Sequence, residues 1–110
     1  MNSKILIGWT TLPSEKEALD LARGMVEDRL AACAQVDGPI QSIFRWKGIV
    51  ENAEEWRLVA KFPKDKGKAL EQWLSENHPY DEPQWIAVEA DQVSASYANW
   101  VSEEAGEDND

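Results

Sequence analysis

The spacing of apolar and polar residues divides the first third of the chain into a strand and a helix. Lys4–Thr10 is a continuous apolar and β-branched run, which predicts a central strand covered on both faces. Ser14 and Glu17 have the spacing of a capping box, and the apolar residues after them recur at helical intervals. A helix is therefore predicted over about 14–29, with one face against a sheet.

Two alternating runs follow this helix. A small apolar run from Ala31 is interrupted by Gly38-Pro39 and then alternates up to Trp46, which predicts one long strand bent at a bulge. Lys47-Gly48 supplies a turn before the second run. Four apolar residues of that run share one face: Trp56, Leu58, Ala60 and Phe62. The pair forms an antiparallel hairpin, and its unusual length predicts pairing with another subunit through β-edge contacts.

Three more elements complete the pattern. A second helix is predicted over 64–77, ending before Pro79 because proline disfavours helix in the residue that precedes it. A strand is predicted over 84–90, and Ser94 is placed to cap a last short helix. The order β-α-β-β-α-β-α predicts an α+β, ferredoxin-like (split βαβ) fold with a four-stranded antiparallel sheet.

Acidic residues are concentrated at the end of the chain. The formal net charge is −10, and five of the 21 acids lie in the last eight residues, so the rest carries −5. We predict one domain over 1–102 and a disordered acidic tail over 103–110. The body lacks the basic surface that phosphate groups require, so neither nucleic acid nor membrane is an expected partner. The apolar run near the amino end is too short for a signal peptide, which favours a cytoplasmic protein.

His78, the only histidine, is the best candidate for chemistry. Imidazole nitrogens bind copper and zinc, and Asp81 is close enough in sequence to supply a second ligand. Alternatively, His78 caps the carboxyl end of the second helix. Cys33, the only cysteine, is either a soft ligand for Cu(I) or a small buried residue, and burial is favoured. A hydrolase using His78 as general acid or base is a weaker alternative, because no nucleophile or cofactor motif accompanies it.

Four segments together resemble the divalent-cation tolerance family CutA. The segments are Thr10–Ser14, Val26–Ala34, Ser42–Gly48 and His78–Pro83. The resemblance implies a ferredoxin-like subunit assembled as a homotrimer that binds copper or another divalent cation, with no catalytic reaction attached to it. Family members usually have Tyr at the position of Phe44 and Glu at the positions of Asp81 and Gln84, which weakens the expectation of a complete metal cage in the last segment.

The implied trimer also suggests a cleft between subunits. There, Lys61 with Tyr80 and Trp46 would hold a small ligand, as the similarity of such trimers to PII signalling proteins suggests; otherwise Lys61 is a solvated cation. We therefore predict a trimeric metal-binding protein with the candidate ligands His78, Cys33 and Asp81. The alternatives are a PII-like trimer without a physiological metal and an assembly module that presents an acidic surface.

Overall fold

The computed structural model describes residues 4–106 and has the predicted α+β, ferredoxin-like architecture. The strands are β1 (Ile5–Leu12), β2 (Cys33–Trp46), β3 (Ile49–Pro63) and β4 (Ile86–Glu89). The helices are α1 (Glu15–Glu27), α2 (Gly67–Asn77) and α3 (Ala95–Ala105), and a 3-10 turn at Lys64–Lys66 precedes α2. All strand pairs are antiparallel, in the order β2-β3-β1-β4. The central position predicted for the first strand is confirmed.

Helices α1 and α2 cover one face of this sheet. The predicted apolar face of β3 is buried there, with Leu58, Ala60 and Phe62 all fully inaccessible. These residues pack in one cluster with apolar side chains of both helices, which include Leu21, Met25, Leu70 and Leu74. Helix α1 starts as the sequence predicts, because the hydroxyl of Ser14 accepts a hydrogen bond from the backbone N–H of Glu17 at 3.1 Å.

Helix α3 covers part of the opposite face. Ile5 points away from its neighbour Leu6 and is buried with Val101 and Ala105 of α3. The sequence predicted that the domain ends at residue 102. Helix α3 continues past this residue, because a long-range contact stabilises its last turn. The remainder of the predicted tail, 107–110, lies outside the described residues. Within residues 4–106, no helix is both long and apolar enough to cross a bilayer.

The β2–β3 hairpin extends beyond the end of β1, since β1 pairs with β3 only as far as Trp56. The predicted bulge is confirmed: β2 has two residues between Asp37 and Ile40 where β3 has one, and Ile40 then lies opposite Glu55. The turn at Lys47-Gly48 has φ values of 52° and 80°, which suit a two-residue hairpin loop. The molecule is 48 Å along its longest axis, and much of the hairpin is open to solvent.

Candidate functional site

A cavity of about 700 Å³ opens between the outer half of the hairpin and the loop that joins α2 to β4. Three aromatic side chains line it, namely Phe44, Trp46 and Tyr80. Four carboxylates also line it, namely Glu51, Glu55, Asp81 and Glu82. No lysine or arginine is among its lining residues within the described part of the chain. The cavity is thus acidic, with aromatic walls.

The pairing of β2 with β3 determines which hairpin residues line the cavity. Glu51 lies opposite Phe44, and Glu55 lies opposite Ile40, so alternate residues of the two strands face the cavity together. Glu54 has the opposite parity and is not among the lining residues. The acidic residues of this part of β3 are therefore divided between two faces of the hairpin.

Among the described acidic residues that line the cavity, only Glu55 is buried, at 6% exposure. The Tyr80 hydroxyl donates a hydrogen bond of 2.7 Å to its Oε2 atom. Burial, and then the Glu55 carboxylate, raises the pKa of Tyr80, so the phenol keeps its proton and acts as the donor. This bond attaches the α2–β4 loop to the hairpin.

His78 holds the same loop from the other side. Its backbone is extended, as expected before Pro79, and it ends α2. Its Nδ1 atom accepts a hydrogen bond of 3.1 Å from the backbone N–H of Tyr80. The proton of the neutral ring is therefore on Nε2, which donates to the Thr10 hydroxyl at 2.9 Å. Both ring nitrogens are engaged within the chain, so binding a metal or moving a proton requires one of these bonds to open.

Burial lowers the pKa of His78. The Thr11 backbone and the carboxylates of Glu17 and Glu55 act in the opposite direction, but burial is the largest influence. The ring is accordingly neutral at pH 7, and the structure assigns it a role in positioning Tyr80.

Cys33 and Lys61 lie elsewhere in the sheet. They face each other across β2 and β3, and the Lys61 ammonium donates to the side chain of Gln35 at 2.7 Å. Lys61 is six residues from Glu55 along β3, which is about 20 Å at the usual rise per residue. Within one chain, the structure does not bring Lys61 to Trp46 and Tyr80. Cys33 is half-buried and lies beside Tyr97 of α3.

Of the three predicted metal ligands, only Asp81 lines the cavity. In the described part of the chain, no three side chains among the histidine, cysteine and acidic residues are grouped so that they could hold a metal ion. His78, Cys33 and Asp81 therefore do not form one site within a single subunit. The acidic residues of the cavity remain as oxygen donors, and divalent cations accept such donors.

Four residues that line the cavity were not predicted as site residues from the sequence: Glu51, Glu55, Glu82 and Phe44. Glu51 and Glu55 had a usable signal, since residues four apart on a strand share a face. Burial of Glu55 arises from the α2–β4 loop, which folds over it from 25 residues away. The residues next to Glu55 in the sequence do not predict that contact.

Comparison with known proteins identifies the family. The family model described as CutA1 divalent ion tolerance protein matches residues 6–104. The chain belongs to this family. The CutA resemblance noted in the sequence is therefore confirmed.

Individual CutA proteins agree with this assignment. The divalent-cation tolerance protein CutA of Thermotoga maritima is 32% identical over 90% of this chain and 97% of its own length. Protein CutA of Mus musculus is 37% identical over 84% of this chain, which spans only 52% of the mouse protein. The solved structure of CutA from Synechococcus elongatus has a TM-score of 0.89 and 32% identity, covering 96% of this chain and 94% of that one.

Proposed function

We propose that this protein binds divalent cations, copper among them, as a cytoplasmic homotrimer that contributes to metal-ion tolerance, and that it is not an enzyme. Its membership of a divalent ion tolerance family supports the general role. The observation that carries the proposal is the cavity, which has four carboxylates and no basic residue among the described side chains that line it. Such a wall attracts cations and repels anions.

Glu51, Glu55, Asp81 and Glu82 are the proposed metal-binding residues. Their donor atoms are all oxygens, which accept Mg²⁺ and Ca²⁺ as well as first-row metals. For a given set of ligands, affinity among first-row divalent ions is highest for Cu²⁺, which favours copper. Because one subunit does not group three ligands, the full coordination is proposed to need a neighbouring subunit or a movement of the α2–β4 loop.

The exposed apolar side chains support the proposed trimer. Strands β2 and β4 form the two edges of the sheet, and each has an unpaired side. Five aliphatic side chains on the hairpin and on β4 are 47–71% exposed: Ile43, Ile49, Val50, Ile86 and Val88. Burying such a surface between subunits would stabilise an assembly.

Calorimetric titration tests the metal proposal. Cu²⁺ and Zn²⁺ are titrated into the wild type and into Glu55→Gln and Asp81→Asn, with Glu71→Gln of α2 as a control that loses the same charge from an exposed position. We expect each cavity variant to lose about tenfold or more in affinity, and the control to bind as the wild type does. Equal affinities for all four proteins would refute the cavity as the metal site.

Two further variants separate the residues that the sequence favoured. Cys33→Ser is expected to leave Cu²⁺ affinity unchanged, since Cys33 lies opposite Lys61 rather than at the cavity. His78→Gln is expected to have a smaller effect than Asp81→Asn, because His78 acts through Tyr80.

The cytoplasmic location is consistent with a chain whose single cysteine forms no internal disulfide, and cell fractionation tests it.

A further inference from the structure

The walls of the cavity combine two kinds of group that a metal ion would not use together. Hydrated divalent ions bind carboxylates and gain little from aromatic rings. Organic ammonium ions gain from both, because their charge is attracted to ring faces and their alkyl groups pack against them. Phe44 and Trp46 line the cavity, and within one chain 42% and 46% of their surface is exposed, so both rings face the open space of the cavity.

The buried carboxylate of Glu55 has no cationic partner in the part of the chain that the structure describes. Its hydrogen bond comes from a neutral phenol, and none of the four ion pairs found among residues 4–106 includes it. Buried charges in proteins are normally paired, since removing a carboxylate from water is costly. A cation that entered the cavity would supply the missing charge.

One ammonium group of the chain already lies near the aromatic wall. The Lys47 Nζ atom is 6.0 Å from the centre of the Trp46 ring, at the outer limit of a cation–π contact. Lys47 is not a lining residue of the cavity. Its contact with Trp46 therefore leaves Glu55 without a cationic partner among residues 4–106.

The size and charge pattern of the cavity indicate which ammonium ions fit. Its volume of about 700 Å³ is in the range of small-molecule sites. Glu55 is buried, whereas Asp81 and Glu82 are exposed, so acidic groups lie both within the cavity and at its open side. An ion with two or more ammonium groups joined by alkyl chains would place one ammonium group near Glu55 and another near Asp81 and Glu82.

We infer that the cavity binds linear alkyl diammonium and polyammonium ions, and that these compete with divalent cations for its carboxylates. This inference rests on the proposed function in so far as both ligands use the same acidic wall. It differs in assigning a role to Phe44 and Trp46, which contribute nothing to metal coordination.

Titration calorimetry with spermidine and 1,4-diaminobutane tests the inference, with 1,4-butanediol as the uncharged control. We expect both amines to bind, the diol not to bind, and spermidine to raise the apparent dissociation constant for Zn²⁺. Trp46→Leu is expected to weaken spermidine binding by about two- to fivefold, and to weaken it more than it weakens Zn²⁺ binding. Trp100→Leu of α3 is the matched control, since Trp100 is similarly exposed, at 41%, but does not line the cavity.

The outcomes separate the two proposals. If Zn²⁺ binds and neither amine does, the inference is wrong and the metal proposal stands. If spermidine binds and the metals do not, the metal proposal and the competition fail, and the binding of polyammonium ions stands. Equal spermidine binding by wild type, Trp46→Leu and Glu55→Gln would show attraction to the acidic surface in general and would overturn the inference. Glu51→Gln serves as a second acidic variant, and circular dichroism verifies folding of each protein.

Discussion

Tyr80 joins two parts of the molecule through two hydrogen bonds. Its hydroxyl donates to Glu55 of the hairpin, and its backbone N–H donates to the His78 ring. The sequence predicted His78 as a site residue because it is the only histidine and adjoins a helix end, whereas Tyr80 was implied by the resemblance to the CutA family. It did not identify Glu55, because the partner that buries this residue is distant in the chain.

Replacing Tyr80 by Phe is expected to destabilise the fold by about 1–2 kcal/mol, because the buried Glu55 carboxylate would lose its hydrogen bond. Urea denaturation measures the change. Tyr97→Phe is the control, since Tyr97 is a more exposed tyrosine, and it should change stability by less than about 0.5 kcal/mol. In the background of Glu55→Gln the effect of Tyr80→Phe should shrink, and an undiminished effect would contradict the assignment.

Protonation of His78 is expected to make the fold sensitive to mild acid. Its folded-state pKa is lowered by burial, so the unfolded chain, with a histidine pKa near 6.5, binds the proton more readily. The contribution to stability is full above about pH 6.5 and is lost as the pH falls towards the folded pKa. Glu17 of α1 and Glu55 of β3 oppose this effect without reversing it.

Comparing urea denaturation at pH 7.5 and 5.5 tests this expectation. The wild type should lose more stability between these values than His78→Gln, whose side chain does not titrate. The carboxylate of Glu89, whose pKa its hydrogen bonds with Lys4 and Lys64 lower, is common to both proteins and cancels in the comparison. An equal loss in the two proteins would exclude His78 as the group responsible.

At the scale of elements, alternation and helical spacing predicted the strands and helices because these signals are local. The hairpin, its bulge and the caps of α1 and α3 all appear where the pattern indicates. The carboxyl end of α3 was harder to predict. Glu103 and Glu104 suggested a solvated tail, but Ala105 is buried against Ile5 from the other end of the domain.

The contact between β1 and the segment before β4 leads to a prediction about Gly8. A side chain at Gly8 would collide with the ring of Trp85, which itself stacks on Phe62 at 5.9 Å. Gly8→Ala is therefore expected to lower the free energy of unfolding by about 1–3 kcal/mol. At Gly67 the nearest atom to an added methyl group is 3.8 Å away, so Gly67→Ala should be tolerated. Thermal denaturation of both variants checks the contrast, and similar melting temperatures would contradict it.

At the scale of the whole molecule, net charge and exposed apolar edges act in opposite directions. The formal charge of −10 per chain opposes association, whereas the aliphatic residues on the hairpin and on β4 favour it. Hydrophobic burial acts at contact and is not screened by salt, so we expect association to persist at physiological ionic strength and to strengthen as salt screens the repulsion.

Val88→Lys on β4 is expected to shift the protein from the proposed trimer towards monomer, because it places a charge on an exposed sheet edge that the trimer would bury. Leu19→Lys is the matched control, since Leu19 is comparably exposed, at 52%, but lies on α1. Size-exclusion chromatography with light scattering gives the mass of each species. A monomeric wild type, or a Val88→Lys variant that remains trimeric, would refute the proposed use of this edge.

The bulge in β2 has an evolutionary consequence. The cavity lies on one side of the sheet. Before the bulge, residues of β2 with odd numbers, such as Gln35, face that side. After the bulge, residues with even numbers, such as Phe44, face it. Gaining or losing one residue between Ile40 and Phe44 would turn both aromatic side chains, Phe44 and Trp46, to the opposite face of the hairpin. Natural variation in this segment should therefore change side chains freely at the outward positions but preserve the number of residues, so that length is under stronger selection than composition.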